Sequence, residues 1–203
     1  MKIVIVDYGS GNLRSVQKGL ERVGYASVIS HDPNDVSEAT HLVVPGVGAF
    51  PECMKNLDRL GLLKPIREAI EMEKPYLGIC LGLQILFTEG TEFGSHPGLG
   101  LVPGKVVRFP ENELKVPHMG WNRIRIEKKN ALLEGIPDGA YFYFVHSYYG
   151  LPQESDWVAT TTEYGVRFAS SISRDRLFAC QFHPEKSQQM GLRLLANFAK
   201  MKS

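Results

Sequence analysis

Apolar residues in the first half of the chain follow two alternating patterns. Ile3-Val4-Ile5-Val6 is a continuous apolar run, the pattern of a strand buried on both faces. Leu13, Val16, Leu20 and Val23 then fall on one stripe of a helix, and Gly24 stands where such a helix stops. The alternation continues with short strands over 26–30 and 41–45, helical patterns over 51–60 and 62–72, and a strand in Pro75-Tyr76-Leu77-Gly78-Ile79. The run from Cys80 to Thr88 reads as a helix, with Gly90 beyond it. The second half is richer in strand patterns, over 104–109, 122–126, 141–146, 157–162, 166–173 and 176–182, punctuated by Gly and Pro. A last helix begins near Ser187, with Met190, Leu194 and Phe198 spaced by four and Leu195 widening the face. Gly191 lies inside that pattern and weakens its first turn.

This order predicts an α/β fold. An open, mostly parallel sheet carries helices on both faces, and the later meander adds antiparallel strands to one edge. Such a sheet takes its ligand beyond the carboxyl ends of its strands.

Composition narrows the class. With 203 residues, 43% of them hydrophobic and 22% charged, the chain is expected to form one domain over 1–203 with an ordinary core. Lys and Arg total 23 against 22 Asp and Glu, without blocks of like charge, which argues against a nucleic-acid surface and an acidic tail. Cys53, Cys80 and Cys180 are an odd set without CxxC spacing, so neither a disulfide framework nor a zinc knuckle is expected. A reducing compartment fits them best. The first apolar run is too short for a signal peptide, and no run approaches the ~18 residues that span a bilayer. The expectation is a soluble cytoplasmic protein with no membrane or nucleic-acid partner.

Gly78-Ile79-Cys80-Leu81-Gly82 lies between a predicted strand and a predicted helix and has the form of a nucleophile elbow, with Cys in place of Ser. The sharp turn strains the nucleophile's backbone and leaves no room for a Cβ at its neighbours. It also sets the thiol at a helix N-terminus, where the dipole favours a thiolate over the thiol that dominates at pH 7. A buried core cysteine is the plain alternative, and it is the reading preferred for Cys53 and Cys180. His183-Pro184-Glu185 follows a strand, placing a general base at its end and a carboxylate two residues on to orient it. An H-x-E also opens a zinc-deaminase signature, but that requires a later P-C-x-x-C, and no cysteine follows residue 180. Pro45-Gly46-Val47-Gly48 ends the third strand, and an N–H there, with that of Leu81, can form an oxyanion hole. A simple strand-to-helix turn accounts for the same spacing equally well. Gly9-Ser10-Gly11-Asn12 looks like a phosphate loop, but Arg14 occupies the third glycine position, and a tight turn is the better account.

Five segments together resemble the class I (triad) glutamine amidotransferases, over essentially the full length. They are Tyr8-Gly9-Ser10-Gly11-Asn12-Leu13, Pro45-Gly46-Val47-Gly48-Ala49-Phe50, Gly78-Ile79-Cys80-Leu81-Gly82-Leu83-Gln84, His118-Met119-Gly120-Trp121-Asn122 and Phe182-His183-Pro184-Glu185-Lys186-Ser187. The second, fourth and fifth are similar to the subfamily of glutaminase subunits of imidazole glycerol phosphate synthases. The resemblance implies that Cys80 attacks the side-chain amide of L-glutamine, that His183 relays the proton, and that Glu185 holds His183. It implies an oxyanion hole from Leu81, Val47 and Gly48, and glutamine binding by Gln84, His146, Ser147 and Tyr148. It implies no cofactor and no metal. It further implies that ammonia passes to a cyclase subunit, a (β/α)8 barrel of the HisF type, in a 1:1 heterodimer that makes imidazole glycerol phosphate and AICAR in histidine biosynthesis. Trp121 and Lys186 match interface positions, whereas Tyr141 and Tyr143 read as core packing. Gly46 and Gly48 further suggest that a peptide within 46–48 turns toward the oxyanion when the partner and its nucleotide favour the active arrangement. A γ-glutamyl hydrolase or sister amidotransferase, a nucleotide-binding module on Gly9 and Gly11, and an inactive homologue are the competing readings.

Overall fold

The structure, a computed structural model, describes residues 1–110 and 114–202. Its first half alternates strand and helix as the periodicity requires: β1 (Ile3–Val6), α1 (Leu13–Arg22), β2 (Ser27–Ser30), α2 (Pro33–Glu38), β3 (His41–Gly46), α3 (Phe50–Arg59), α4 (Leu63–Glu71), β4 (Tyr76–Cys80) and α5 (Leu81–Gln84). Strands follow: β5 (Phe87–Gly90), β6 (His96–Pro97), β7 (Val102–Arg108), β8 (His118–Arg123), β9 (Arg125–Ile126), β10 (Tyr141–His146), β11 (Tyr148–Pro152), β12 (Val158–Tyr164), β13 (Val166–Arg174) and β14 (Leu177–Cys180), before α6 (Gln188–Ala199).

Eight strands form the main sheet in the order β2-β1-β3-β4-β14-β13-β12-β9. The first five are parallel, and β13, β12 and β9 extend the edge antiparallel, as expected. Alternate residues of β1 feed two cores: Val4 and Val6 join one, Ile3 and Ile5 the other. The first core contains Val36, Leu57 and Ile66 from α2, α3 and α4, and the second contains Val16, Leu194 and Phe198 from α1 and α6. Two small sheets cap these layers, β11-β7-β5-β6 over the first core and β10-β8 over the second.

The helix expected over 80–88 is cut to one turn, because β5 begins at Phe87 and pairs with β7. Residues 80–87 are all buried, so the run carries no one-sided stripe, and apolar continuity alone does not separate strand from helix. The strand expected over 122–126 is split into β8 and β9 around Ile124. Gly191 sits in α6 for a packing reason: a Cβ there would lie 1.8 Å from the Pro184 carbonyl oxygen.

Candidate active site

The carboxyl ends of β3, β4 and β14 meet at one place. Gly46 pairs with Cys80, and Cys180 pairs with Ile79, so the segment after β14 runs past the thiol. Cys80 has φ 56° and ψ −103°, a region that L residues avoid at a cost of about 1–3 kcal/mol. The turn is locked from both sides. A Cβ on Gly78 would lie 2.3 Å from the Gly82 carbonyl oxygen, and one on Gly82 would lie 1.8 Å from that of Val44. Tyr76 Oη donates to the same Gly82 carbonyl at 2.8 Å. The elbow expected from the sequence is therefore present, although its helix is a single turn and supplies only a short dipole.

His183 and Glu185 are set by the residues that follow them. Pro184 opens one 3-10 turn. The Ser187 hydroxyl accepts from Tyr143 N–H at 3.0 Å and donates to the His183 carbonyl at 2.6 Å, and His183 N–H donates to the Tyr143 carbonyl at 2.9 Å. These bonds fasten the histidine loop to β10. Glu185 Oε1 lies 2.8 Å from His183 Nδ1, with both side chains buried. A carboxylate only accepts, so Nδ1 carries a hydrogen and Nε2 is the face left for chemistry; it is buried and has no hydrogen-bond partner. Burial works against the imidazolium, but Cys80 and Glu185 outweigh it and raise His183 well above the usual histidine value. Replacing Ser187 by alanine leaves Tyr143 N–H without its acceptor, so urea denaturation should show a loss of about 1–3 kcal/mol. Turnover by the same variant should lose kcat with little change in KM; unchanged kcat would separate the clamp from the chemistry.

A cleft of about 480 Å³ opens over the thiol, walled by Asn12, Val47, Gly48, Cys80, Leu81, Gln84, Glu92, His146, Ser147, Tyr148 and Lys186 among others. The residues expected at an oxyanion hole and at a substrate site thus share one cavity with Cys80. Gln84 is buried, and its amide donates to the Tyr148 carbonyl and to Gln181 Oε1, each at 3.1 Å. Val47 O accepts from the Ser10 hydroxyl at 2.5 Å, and Gly48 has φ 98°. Gly46 needs no such freedom; it is a packing glycine, since a Cβ would strike Tyr8 Oη and Leu81 Cβ.

Three assignments change or gain content. Tyr141 and Tyr143 are not core residues: in β10 it is Phe142 and Phe144 that point inward, while Tyr141 is 47% exposed and Tyr143 half-buried. Their outward face carries Trp121, 46% exposed, against the edge of Tyr143, and Lys186 Nζ lies 5.7 Å from that ring's centre. Met119, 62% exposed, completes an apolar patch beside the cleft. Cys53 and Cys180 are buried, and burial pushes the Cys53 thiol up to about 12. Gly9 and Gly11 both have positive φ, and Gly9 N–H donates to Asp7, as a tight turn demands.

Sequence reasoning left His118 without a role and did not single out Gln181 or Glu92. His146 Nδ1 lies 2.8 Å from the Tyr148 carbonyl, which fixes Nδ1 as the donor. His146 Nε2 therefore accepts from His118 Nδ1 at 3.0 Å, and His118 Nε2 accepts from Asn122 Nδ2 at 3.2 Å. Both rings are neutral in this arrangement. Desolvation lowers His118 to about 4 and His146 to about 3. A buried His on a strand, or a Gln just past one, has no periodic signature; the HMGWN and QFHPE contexts mark His118 and Gln181, and neither contains Glu92. Among the described residues no cluster of His, Cys, Asp and Glu suits a metal ion, and no helix is long and apolar enough to cross a membrane.

The family model described as Glutamine amidotransferase class-I matches residues 4–201. A protein of Syntrophotalea carbinolica named imidazole glycerol phosphate synthase subunit HisH is 54% identical, covering 98% of this chain and all of its own length. A protein of the same name from Geobacter sulfurreducens is 51% identical over 99% of both chains. A solved structure titled as a glutamine amidotransferase aligns with a TM-score of 0.75 over 98% of this chain and 99% of its own; at 19% identity it speaks to the fold alone.

Proposed function

The chain belongs to the class-I glutamine amidotransferase family, and from that premise we propose that it is the glutaminase subunit of an imidazole glycerol phosphate synthase, a single glutaminase domain. The observation that carries the proposal is the strained Cys80 elbow opening into a cleft beside a His183 already paired with Glu185. Cys80 sulfur attacks the side-chain carbonyl carbon of glutamine. The oxyanion meets N–H groups of Leu81 and of the 47–48 segment. His183 Nε2 delivers its proton to the amide nitrogen, the C–N bond breaks, and ammonia leaves the γ-glutamyl thioester. Water then attacks the thioester, His183 takes its proton, and glutamate departs with the thiolate restored. Glu92 is the acidic side chain on the cleft wall and suits the α-ammonium of glutamine. Gln84 acts by shaping the wall, because its amide hydrogens are already engaged.

Ammonia passes to a cyclase subunit, a (β/α)8 barrel, in a 1:1 heterodimer. The exposed Met119, Trp121 and Tyr143 face with Lys186 supports this docking: aromatic residues anchor interfaces, and this patch adjoins the cleft. In the free chain the Ser10 hydroxyl holds the Val47 carbonyl. Turning that peptide so that its N–H serves the oxyanion requires breaking this bond, which gives the partner something to release. The test is glutamate release from glutamine by the chain alone and with a barrel cyclase subunit and its nucleotide. Weak activity alone and strong activation in the complex are expected, and Ser10→Ala should raise the activity of the free chain. Strong partner-independent turnover would favour a free-standing hydrolase. A Ser10→Ala chain no more active than the parent would remove the latch from the scheme.

A further inference from the structure

Gln181 is fully buried, and its environment dictates which end of its amide faces the thiol. The Tyr148 carbonyl can only accept, so Gln84 must turn its NH2 group toward it. The same NH2 group reaches Gln181, so Gln181 must answer with its oxygen. Its own NH2 is thereby left pointing at Cys80 Sγ, 3.5 Å away. His146 donates to the same Tyr148 carbonyl from the other side and fixes the anchor in place. Two donors converge on that oxygen, so the array cannot pass a proton along its length; what it can do is hold orientation.

We propose that Gln181 is part of the working centre: its side-chain amide donates to Cys80 Sγ, favours the thiolate and aims the sulfur into the cleft, with Gln84 as the residue that positions the amide. The inference deepens the glutaminase reading and rests on it for its kinetic consequences. Hydrogen bonds to an ionised partner are stronger than those to a neutral one, so the amide favours the thiolate over the thiol. His183 supplies charge from the proton-transfer side. Gln181 supplies a fixed dipole on a residue with no proton to lose, so its help persists through the steps in which His183 gives its proton away.

The experiment compares the full chain with Gln181→Met, which keeps length and removes the donor. Iodoacetamide alkylation of Cys80, followed by mass spectrometry across pH, needs no assumption about substrate. In the pH range where the parent's alkylation rate still rises with pH, the variant should be about tenfold slower, its profile displaced upward by about one unit. In the complex with the cyclase subunit, kcat for glutamine should fall about tenfold with KM within about twofold. An unchanged alkylation profile in a folded variant overturns the proposal, as does a rise in KM alone, which would make Gln181 a substrate contact. If the variant fails to fold, the parent chain decides: the Gln181 side-chain amide resonance should shift with the alkylation profile and again when Cys80 is alkylated, and a resonance indifferent to both sinks the idea. A parent chain that alkylates as expected but never hydrolyses glutamine would instead count against the glutaminase reading.

Discussion

Alanine in place of Cys80 is expected to remove glutamine hydrolysis by about 10⁴-fold or more while the fold persists, since the nucleophile has no neighbour able to replace it. Cys53 and Cys180 are buried away from the cleft wall. The elbow adds a second, less obvious expectation. Residue 80 sits at φ 56°, so alanine there keeps the backbone strain and glycine relieves it. Cys80→Gly should therefore resist urea better than Cys80→Ala by about 1 kcal/mol, although glycine ordinarily weakens a folded chain. Equal stability of the two variants would mean that the strain is absorbed elsewhere, and turnover within about a hundredfold of the parent in either would mean that the nucleophile is misassigned.

Acid should unfold the chain sooner than its carboxylates alone require. His118 and His146 are neutral in the native state, with values lowered to about 4 and about 3 by burial. On acidification the unfolded chain takes up protons near the ordinary value of about 6.5, while the native chain does not. Their stabilisation is complete above that value and is lost as pH falls through the window below it. The geometry blocks an escape. A proton added to His146 sets two N–H groups face to face, and relief by switching the His118 tautomer moves the clash to Asn122, whose amide is already held by the Glu163 carbonyl. Nor can the ring swing aside, since His118 is stacked between Phe144 and Tyr164. These two groups contribute about 2.7 kcal/mol per pH unit, and His41, also lowered by burial, adds in the same direction. Urea midpoints between pH 6.0 and 5.0, where ordinary carboxylates remain ionised, test this; His118→Gln should remove about 1.4 kcal/mol per pH unit of the slope, and a flat parent profile would refute it. His183 acts in the opposite direction, because its value is raised to about 10: its contribution is complete below the ordinary value of about 6.5 and is lost as pH rises from there through about 10.

Most of the parallel sheet was legible because its strands are short apolar runs and α1, α3, α4 and α6 carry one-sided stripes. α2 escaped, since a six-residue helix with Val36 as its buried residue has no period to read, although the Asp32 cap and Pro33 announce its start. The first four residues of β8, and all of β11, escaped for a different reason. The exposed face of β8 bears Met119 and Trp121, so its alternation of apolar and polar residues is lost, and β11 is interrupted by Gly150 and Pro152. At the candidate site, local motifs single out Cys80, His183 and Glu185, and the fold brings these side chains together. Gln181 was not legible, because its partners Gln84 and Cys80 lie 97 and 101 residues away. Tyr141 and Tyr143 misled because aromatic residues on a strand default to the core, and here the core positions were taken by the phenylalanines between them.

The place of β14 has a consequence for the order in which the protein is made. It is the last of the described strands in chain order, yet it fills an interior slot between β4 and β13. Until it arrives, β4 presents an open edge and Cys80 has no base beside it. The nascent chain therefore carries its thiol unarmed from the synthesis of Cys80 until the segment after β14 has emerged. A chain cut short before residue 177 has an unfilled gap in its main sheet and exposes the pairing edges that natural proteins keep covered. Insertion of β14 and placement of His183 beside Cys80 are one event.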